Sequence, residues 1–205
     1  MNTTPSSAFA DHVDEALHRL GYREFRPGQR EAVETLLDRR KVLLVAPTGG
    51  GKSLCYQLPA LVLPGTTLVI SPLIALMQDQ VHALQARGVA ATFIASTLDA
   101  QTVRDRLASL ARGEYRLVYV APERLTSPDF RARLANLECP LVAVDEAHCI
   151  SAWGHDFRPE YLQIGALVQE LQPEHVLACT ATATSLKQAF TTPAMVSCNA
   201  GAPPR

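Results

Sequence analysis

The stretch VLLVAPTGGGKSLCYQLPAL, Val42 to Leu61, constrains the fold more than any other part of the 205-residue chain. Val42 to Ala46 is an unbroken aliphatic run, the pattern of a strand covered on both faces. After Pro47 and Thr48 come three glycines, and then an apolar segment whose spacing predicts a helix over Lys52 to Leu63. A strand, a glycine turn and a helix in that order gather backbone N–H groups and a helix N-terminus around one point, which suits a polyphosphate. Gly49, Gly50 and Gly51 carry no Cβ to hold phosphate oxygens away from the backbone. Lys52 is placed to reach the outer phosphates, and the Ser53 hydroxyl to ligate Mg²⁺. The loop departs from G-x-x-x-x-G-K-[ST] at its first position, where Ala46 stands.

From Val42 onward, strand-like runs alternate with helical patterns. The runs are Val42 to Ala46, Thr67 to Ser71, Ala91 to Ala95, Leu117 to Ala121, Leu141 to Val144 and Val176 to Cys179. Helices are predicted at Leu73 to Arg87, Asp99 to Arg112 and Glu160 to Leu171, with an apolar stripe at Leu76, Val81 and Leu84 in the first of these. Two more, Ala8 to Leu20 and Gly28 to Arg40, precede the first strand and are separated by GYREFRPG. The rhythm is that of an α/β fold with a mainly parallel sheet flanked by helices on both faces. One of the runs ends in LVAVDEAH, so Asp145 and Glu146 emerge at the C-terminal end of a strand, where open α/β sheets carry their ligand residues. An acidic pair there also serves as a solvated turn or a helix cap. Behind a phosphate loop, Asp145 suits Mg²⁺ and Glu146 suits polarisation of an attacking water.

Composition narrows the partners. The formal net charge is -1, so no general positive field exists and any nucleic-acid contact must come from a local groove. The five cysteines include no C-x-x-C pair and mostly lie in apolar runs, as buried thiols do. Met1 to Ala10 lacks the basic start and apolar run of an export signal, and no apolar string is long enough to span a bilayer, so a cytoplasmic address without membrane contact is expected.

The segment DEAHCISAWGHDFRPEY, Asp145 to Tyr161, holds the only tryptophan and is too polar for a core element. Together with FRPGQREA, APTGGGKS, SPLIALMQDQ, APERL and TATAT it forms an ordered set. The set resembles superfamily 2 helicases, and specifically the RecQ family of DNA helicases, from Gly21 to Thr184. The likeness implies a RecA-like P-loop domain over residues 1–184, with ATP and Mg²⁺ as its ligands and DNA, single-stranded or at a duplex junction, as its partner. Such helicases move 3′ to 5′ and serve DNA repair and recombination. Ala46 is the residue this superfamily uses at that position of its Walker A loop. FRPGQREA resembles motif 0, which implies that Gln29 reads the adenine edge while Tyr22 and Arg26 stack on the ring. Ser71 and Pro72 match the DNA-backbone segment of motif Ia. WGHDFRPEY resembles the aromatic-rich loop that senses single-stranded DNA, with Trp153, His155, Phe157 and Arg158 kept. An exposed aromatic there offers a stacking face worth about 1 to 3 kcal/mol per base. Thr180 and Thr182 of TATAT, and His148 as a link from the DEAH segment, would pass the nucleotide state toward DNA.

The resemblance ends at Thr184. The tail SLKQAFTTPAMVSCNAGAPPR, residues 185–205, contains three prolines, shows little helical or strand period and is expected to be poorly ordered. It matches nothing that follows motif III in the family, which reads as a truncation or a frame shift. The second RecA-like domain, which brings the arginine finger, is absent from these residues, so the chain alone is expected to bind ATP and DNA with little or no unwinding. Two other readings stay open from sequence: a catalytically silent ATP- or DNA-binding module, and a small-molecule P-loop kinase in which DEAH and the aromatic loop would be idle. RNA in place of DNA is open as well.

Overall fold

The computed structural model describes residues 7–150, 159–181 and 194–197. Among them, seven strands form one sheet in the order β3-β4-β2-β5-β6-β1-β7, and every pairing is parallel. The strands are β1 Lys41–Val45, β2 Thr67–Ile70, β3 Ala91–Ile94, β4 Leu117–Val120, β5 Leu141–Val144, β6 His175–Thr180 and β7 Ala194–Ser197. The helices are α1 Ser7–Arg19, α2 Gln29–Arg39, α3 Leu54–Val62, α4 Ile74–Gln85, α5 Ala100–Ala111, α6 Pro128–Leu134 and α7 Gln163–Leu171.

The period of two along each strand divides the core into two halves. On one face Val42, Leu44, Val69, Phe93, Tyr119, Ala143 and Leu177 pack under α1 to α4. On the other, Leu43, Ile70, Ile94, Val120, Val144 and Ala178 pack under α5, α6 and α7. Both sets are apolar, so the strands read as continuous hydrophobic runs, and a one-residue register slip would leave burial nearly unchanged. Backbone pairing continues just beyond the strands. The Asp145 N–H donates to the Ile70 carbonyl (2.8 Å), that of Ser71 to Val120 (3.2 Å) and that of Ala46 to Thr180 (3.0 Å). These bonds line up the C-terminal ends of β1, β2, β5 and β6, the edge where ligands bind in open α/β sheets.

Several predicted boundaries shift. The third helix begins at Leu54 and not at Lys52, because Lys52 and Ser53 form a tight turn closed by Leu54 N–H to Gly51 O (3.2 Å) and Cys55 N–H to Lys52 O (3.0 Å). The buried stripe of α4 is Met77, Val81 and Leu84, with Leu76 turned aside and only half-buried. Helix α6 has no counterpart in the sequence reading; Pro128 at its start and a Ser127 Oγ cap on the Phe130 N–H (3.3 Å) nucleate it despite its charge. Strand β7 is a further difference, since residues 185–205 show little strand period and are expected to be poorly ordered. Its backbone pairs with β1 from Val42 opposite Ala194 to Val45 opposite Ser197. Four cysteines, Cys55, Cys139, Cys149 and Cys179, are buried thiols outside any disulfide, and Cys198 lies outside the described residues.

Candidate active site

Over the C-terminal ends of β1 and β5 lies a cleft of about 400 Å³. It is lined by Thr48, Gly49, Gly51, Lys52 and Ser53 of the phosphate loop, by Asp145 and Glu146 after β5, by Tyr22, Arg26 and Gln29, and by Leu76 and Gln80 of α4. A volume of this order suits a nucleotide-sized ligand. Ten of the eleven residues expected to meet nucleotide or metal thus line the cleft, Thr48 among them, and the eleventh, Gly50, closes the loop through its N–H to Pro47 O.

The loop is shaped by its glycines. Gly50 N–H donates to Pro47 O (3.0 Å), and a Cβ on Gly50 would stand 2.9 Å from that same carbonyl. Gly51 has φ +76°, and a Cβ there would meet Gln29 Nε2 at 2.3 Å. The close approach is functional in shape: Gln29 Nε2 donates to Gly51 O (3.0 Å), its Oε1 accepts from the Arg26 N–H (2.8 Å), and Arg26 Nη1 donates to Gly49 O (2.7 Å). Gln29 is buried while Arg26 is exposed, so the segment before α2 is stitched to the phosphate loop from below and leaves the guanidinium at the rim. Tyr22, 40% exposed, is backed by the Arg87 guanidinium 5.7 Å from its ring centre. Lys52 curls over the loop, its Nζ donating to the carbonyls of Ala46 (3.1 Å) and Pro47 (3.4 Å).

Asp145 is only 5% exposed. Burial, and next the adjacent Glu146 carboxylate, push its carboxyl up to about 6; the Glu146 N–H bonded to Oδ1 (3.0 Å), Lys52 and His148 oppose the rise. A buried carboxyl lacking enough cations is poised to gain a metal. Its backbone is held from the other side by Tyr161, whose hydroxyl donates to the Asp145 carbonyl (3.1 Å). Glu146 is half-buried with φ +47°, and one of its carboxylate oxygens lies 3.2 Å from His148 Nδ1. Among the described residues no three His, Cys, Asp or Glu side chains form a self-sufficient metal cage. Mg²⁺ needs none, since it takes one or two protein oxygens and completes its shell with water and phosphate. Ser53 and Asp145, facing one cleft, supply such oxygens, and the loop leaves the space a Cβ would fill: the residues fit MgATP.

The expected DNA-side residues divide. Thr180 is buried at the end of β6 beside the phosphate loop, and His148 sits against Glu146. Ser71 is buried with no hydrogen-bond partner for its Oγ among the described residues, while Pro72 is half-exposed beside it. Trp153, His155, Phe157, Arg158 and Thr182 lie outside the described residues. Glu24, Leu54, Leu76 and Gln80 line the cleft without having been singled out from sequence. No sequence signal marked Gln80, because Leu76, four residues before it on the same flank of α4, reads as part of the buried stripe.

Comparison with known proteins agrees with this geometry. A family model described as DEAD/DEAH box helicase matches residues 26–189, and the chain belongs to that family. Within it the likeness is to RecQ. The chain is 53% identical over 169 residues to the ATP-dependent DNA helicase RecQ of Bacillus subtilis, covering 82% of this chain and 29% of that protein. It is 47% identical over 164 residues to the RecQ of Haemophilus influenzae, covering 80% and 26%. The chain therefore spans less than a third of these relatives' length. A hypothetical ATP-dependent RNA helicase from Sulfolobus tokodaii shares the fold at TM-score 0.70 and 17% identity, over 91% of this chain and 56% of that one. No helix among the described residues is long and apolar enough to cross a membrane.

Proposed function

We propose that this chain is the ATP-binding motor domain of a RecQ-like 3′-to-5′ DNA helicase, holding MgATP in the cleft and single-stranded DNA near the C-terminal edge of the sheet. One observation carries the reading: Lys52 and Ser53 from the phosphate loop share a cleft with Asp145 and Glu146, which come from a strand two positions away in the sheet. Lys52 would exchange the loop carbonyls for the outer phosphates, Ser53 and Asp145 would hold the metal, and Glu146 would orient the attacking water. Mg²⁺, when bound, neutralises charge that develops on the transferred phosphoryl group. Tyr22 and Arg26 would stack on adenine, and Gln29 would read its edge only by exchanging its bonds to the Gly51 carbonyl and the Arg26 N–H for the base. His148, in contact with Glu146, and Thr180 under the loop would connect hydrolysis to DNA bound by Ser71, Pro72, Trp153, His155, Phe157, Arg158 and Thr182. The resemblance suggests DNA repair and recombination as the setting, and a cytoplasmic address is the expectation from the sequence alone.

An arginine finger contributes on the order of 10³ to 10⁵ in rate in phosphoryl transfer. The 205 residues contain no stretch resembling the motifs that carry one, so hydrolysis by this chain alone should be slow. Single-turnover ATP hydrolysis, with and without single-stranded DNA, tests the reading. Slow phosphate release, raised by DNA and lost in Lys52→Ala and Glu146→Gln, is expected. Nucleotide binding with no release at all would favour a silent binding module instead.

A further inference from the structure

A buried polar chain leads away from the phosphate loop and ends at the cleft wall. Gln57, on α3 one turn past Ser53, is 4% exposed, and its Nε2 donates to Gln80 Oε1 (2.6 Å) and to the Tyr119 hydroxyl (3.0 Å). Tyr119 in turn packs edge-on against Tyr56, 6.2 Å away between ring centres, and Tyr56 follows Ser53 by three residues at the start of α3. Tyr56 and Tyr119 are each 1% exposed, so these hydroxyls have no water to turn to. An amide committed at one end has its other end determined. Gln80 Oε1 accepts from Gln57, which leaves its Nε2 as the end free to meet a ligand, and Gln80 is one of the residues that line the cleft. The pairing thus leaves a donor end on Gln80 in a cleft whose other polar side chains come from the nucleotide and metal assignments or from Glu24.

We propose that Gln80 is a further nucleotide-contacting residue, donating from Nε2 to an acceptor oxygen of the bound nucleotide, with Gln57 and Tyr119 as the residues that position it. The assignment rests on the nucleotide reading of the cleft and adds α4 to the elements that build it. A purely structural pair would tie α3 to α4 equally well with either end of the Gln80 amide toward the cleft, and a bound ligand distinguishes the two.

The test is equilibrium binding of a fluorescent ATP analogue with Mg²⁺ to the whole chain, each variant being checked by thermal melting. Gln80→Leu removes the donor and should weaken binding about tenfold, the value of one hydrogen bond to a charged or strongly polar acceptor. Gln80→Glu keeps size and the acceptor for Gln57 but turns an oxygen toward the ligand, and should weaken it at least as much. Tyr119→Phe should give a smaller loss that disappears in the Gln80→Leu background, as required if it acts through that amide. Unchanged affinity in both Gln80 variants, or full affinity in Gln80→Glu, overturns the contact while leaving the nucleotide reading intact. An equal Tyr119→Phe loss in both backgrounds overturns the positioning role. Failure of the unaltered chain to bind the analogue would remove the nucleotide reading and this contact together.

Discussion

Asp145 shows how one residue trades stability for chemistry. Its carboxyl ionises at about 6 in the folded chain, against 3.8 when unperturbed. The folded chain thus holds this proton more tightly than the unfolded chain, so the stability contributed by Asp145 is fully present below about pH 4 and is lost as pH rises through about 6. The gap corresponds to roughly 3 kcal/mol lost by neutral pH. Asp145→Asn removes the charge and keeps an oxygen for the Glu146 N–H. In thermal melts with a chelator present, the variant should be several degrees more stable than the parent near pH 7.5, and its advantage should shrink to about half near pH 5. A destabilised variant, or a gain independent of pH, would contradict the buried-charge account. Residues of this kind were legible in the sequence because chemistry dictates their type: a glycine loop with lysine and serine, an acidic pair at a strand end. Gln80 was not, since a half-buried glutamine on an amphipathic helix reads like any solvent-facing one until its partner Gln57 is seen on another helix.

At the scale of elements, the central strands were readable because burial on both faces leaves an unbroken apolar run, and Leu43 and Leu44 show it by packing into opposite halves of the core. The α4 stripe was harder. Leu76 and Met77 are both apolar, and only packing decides that Met77 enters the core while Leu76 flanks the cleft. Helix α6 escaped because PDFRARL is short and half charged, so its helicity comes from local capping more than from periodicity. Ser127→Ala should therefore cost about 1 kcal/mol in urea unfolding. Nucleotide affinity should stay unchanged, because Ser127 caps a helix on the face of the sheet opposite α3. A large loss of nucleotide binding would show that α6 is coupled to the cleft in a way its packing does not indicate. Strand β7 escaped for a different reason: prolines and small residues around Ala194 to Ser197 mask a four-residue pairing with β1 that depends on a partner 152 positions earlier.

For the whole molecule, the parallel sheet brings together at one edge segments that lie far apart in the chain: the Tyr22 to Gln29 segment, the phosphate loop after β1, the start of α4 after β2, and Asp145 with Glu146 after β5. The two halves of the core hold that edge rigid from both sides, while the polar groups above it are left incompletely neutralised. This is the arrangement expected of a domain whose ligand brings charge and metal with it. Titration calorimetry of the chain with ATP is the most direct check, run with Mg²⁺ and again with chelator. Saturable one-to-one binding is predicted, weakened at least about tenfold by the chelator or by Lys52→Ala. The same affinity with and without Mg²⁺, unchanged by Lys52→Ala, would contradict the shared-metal site on which the account stands.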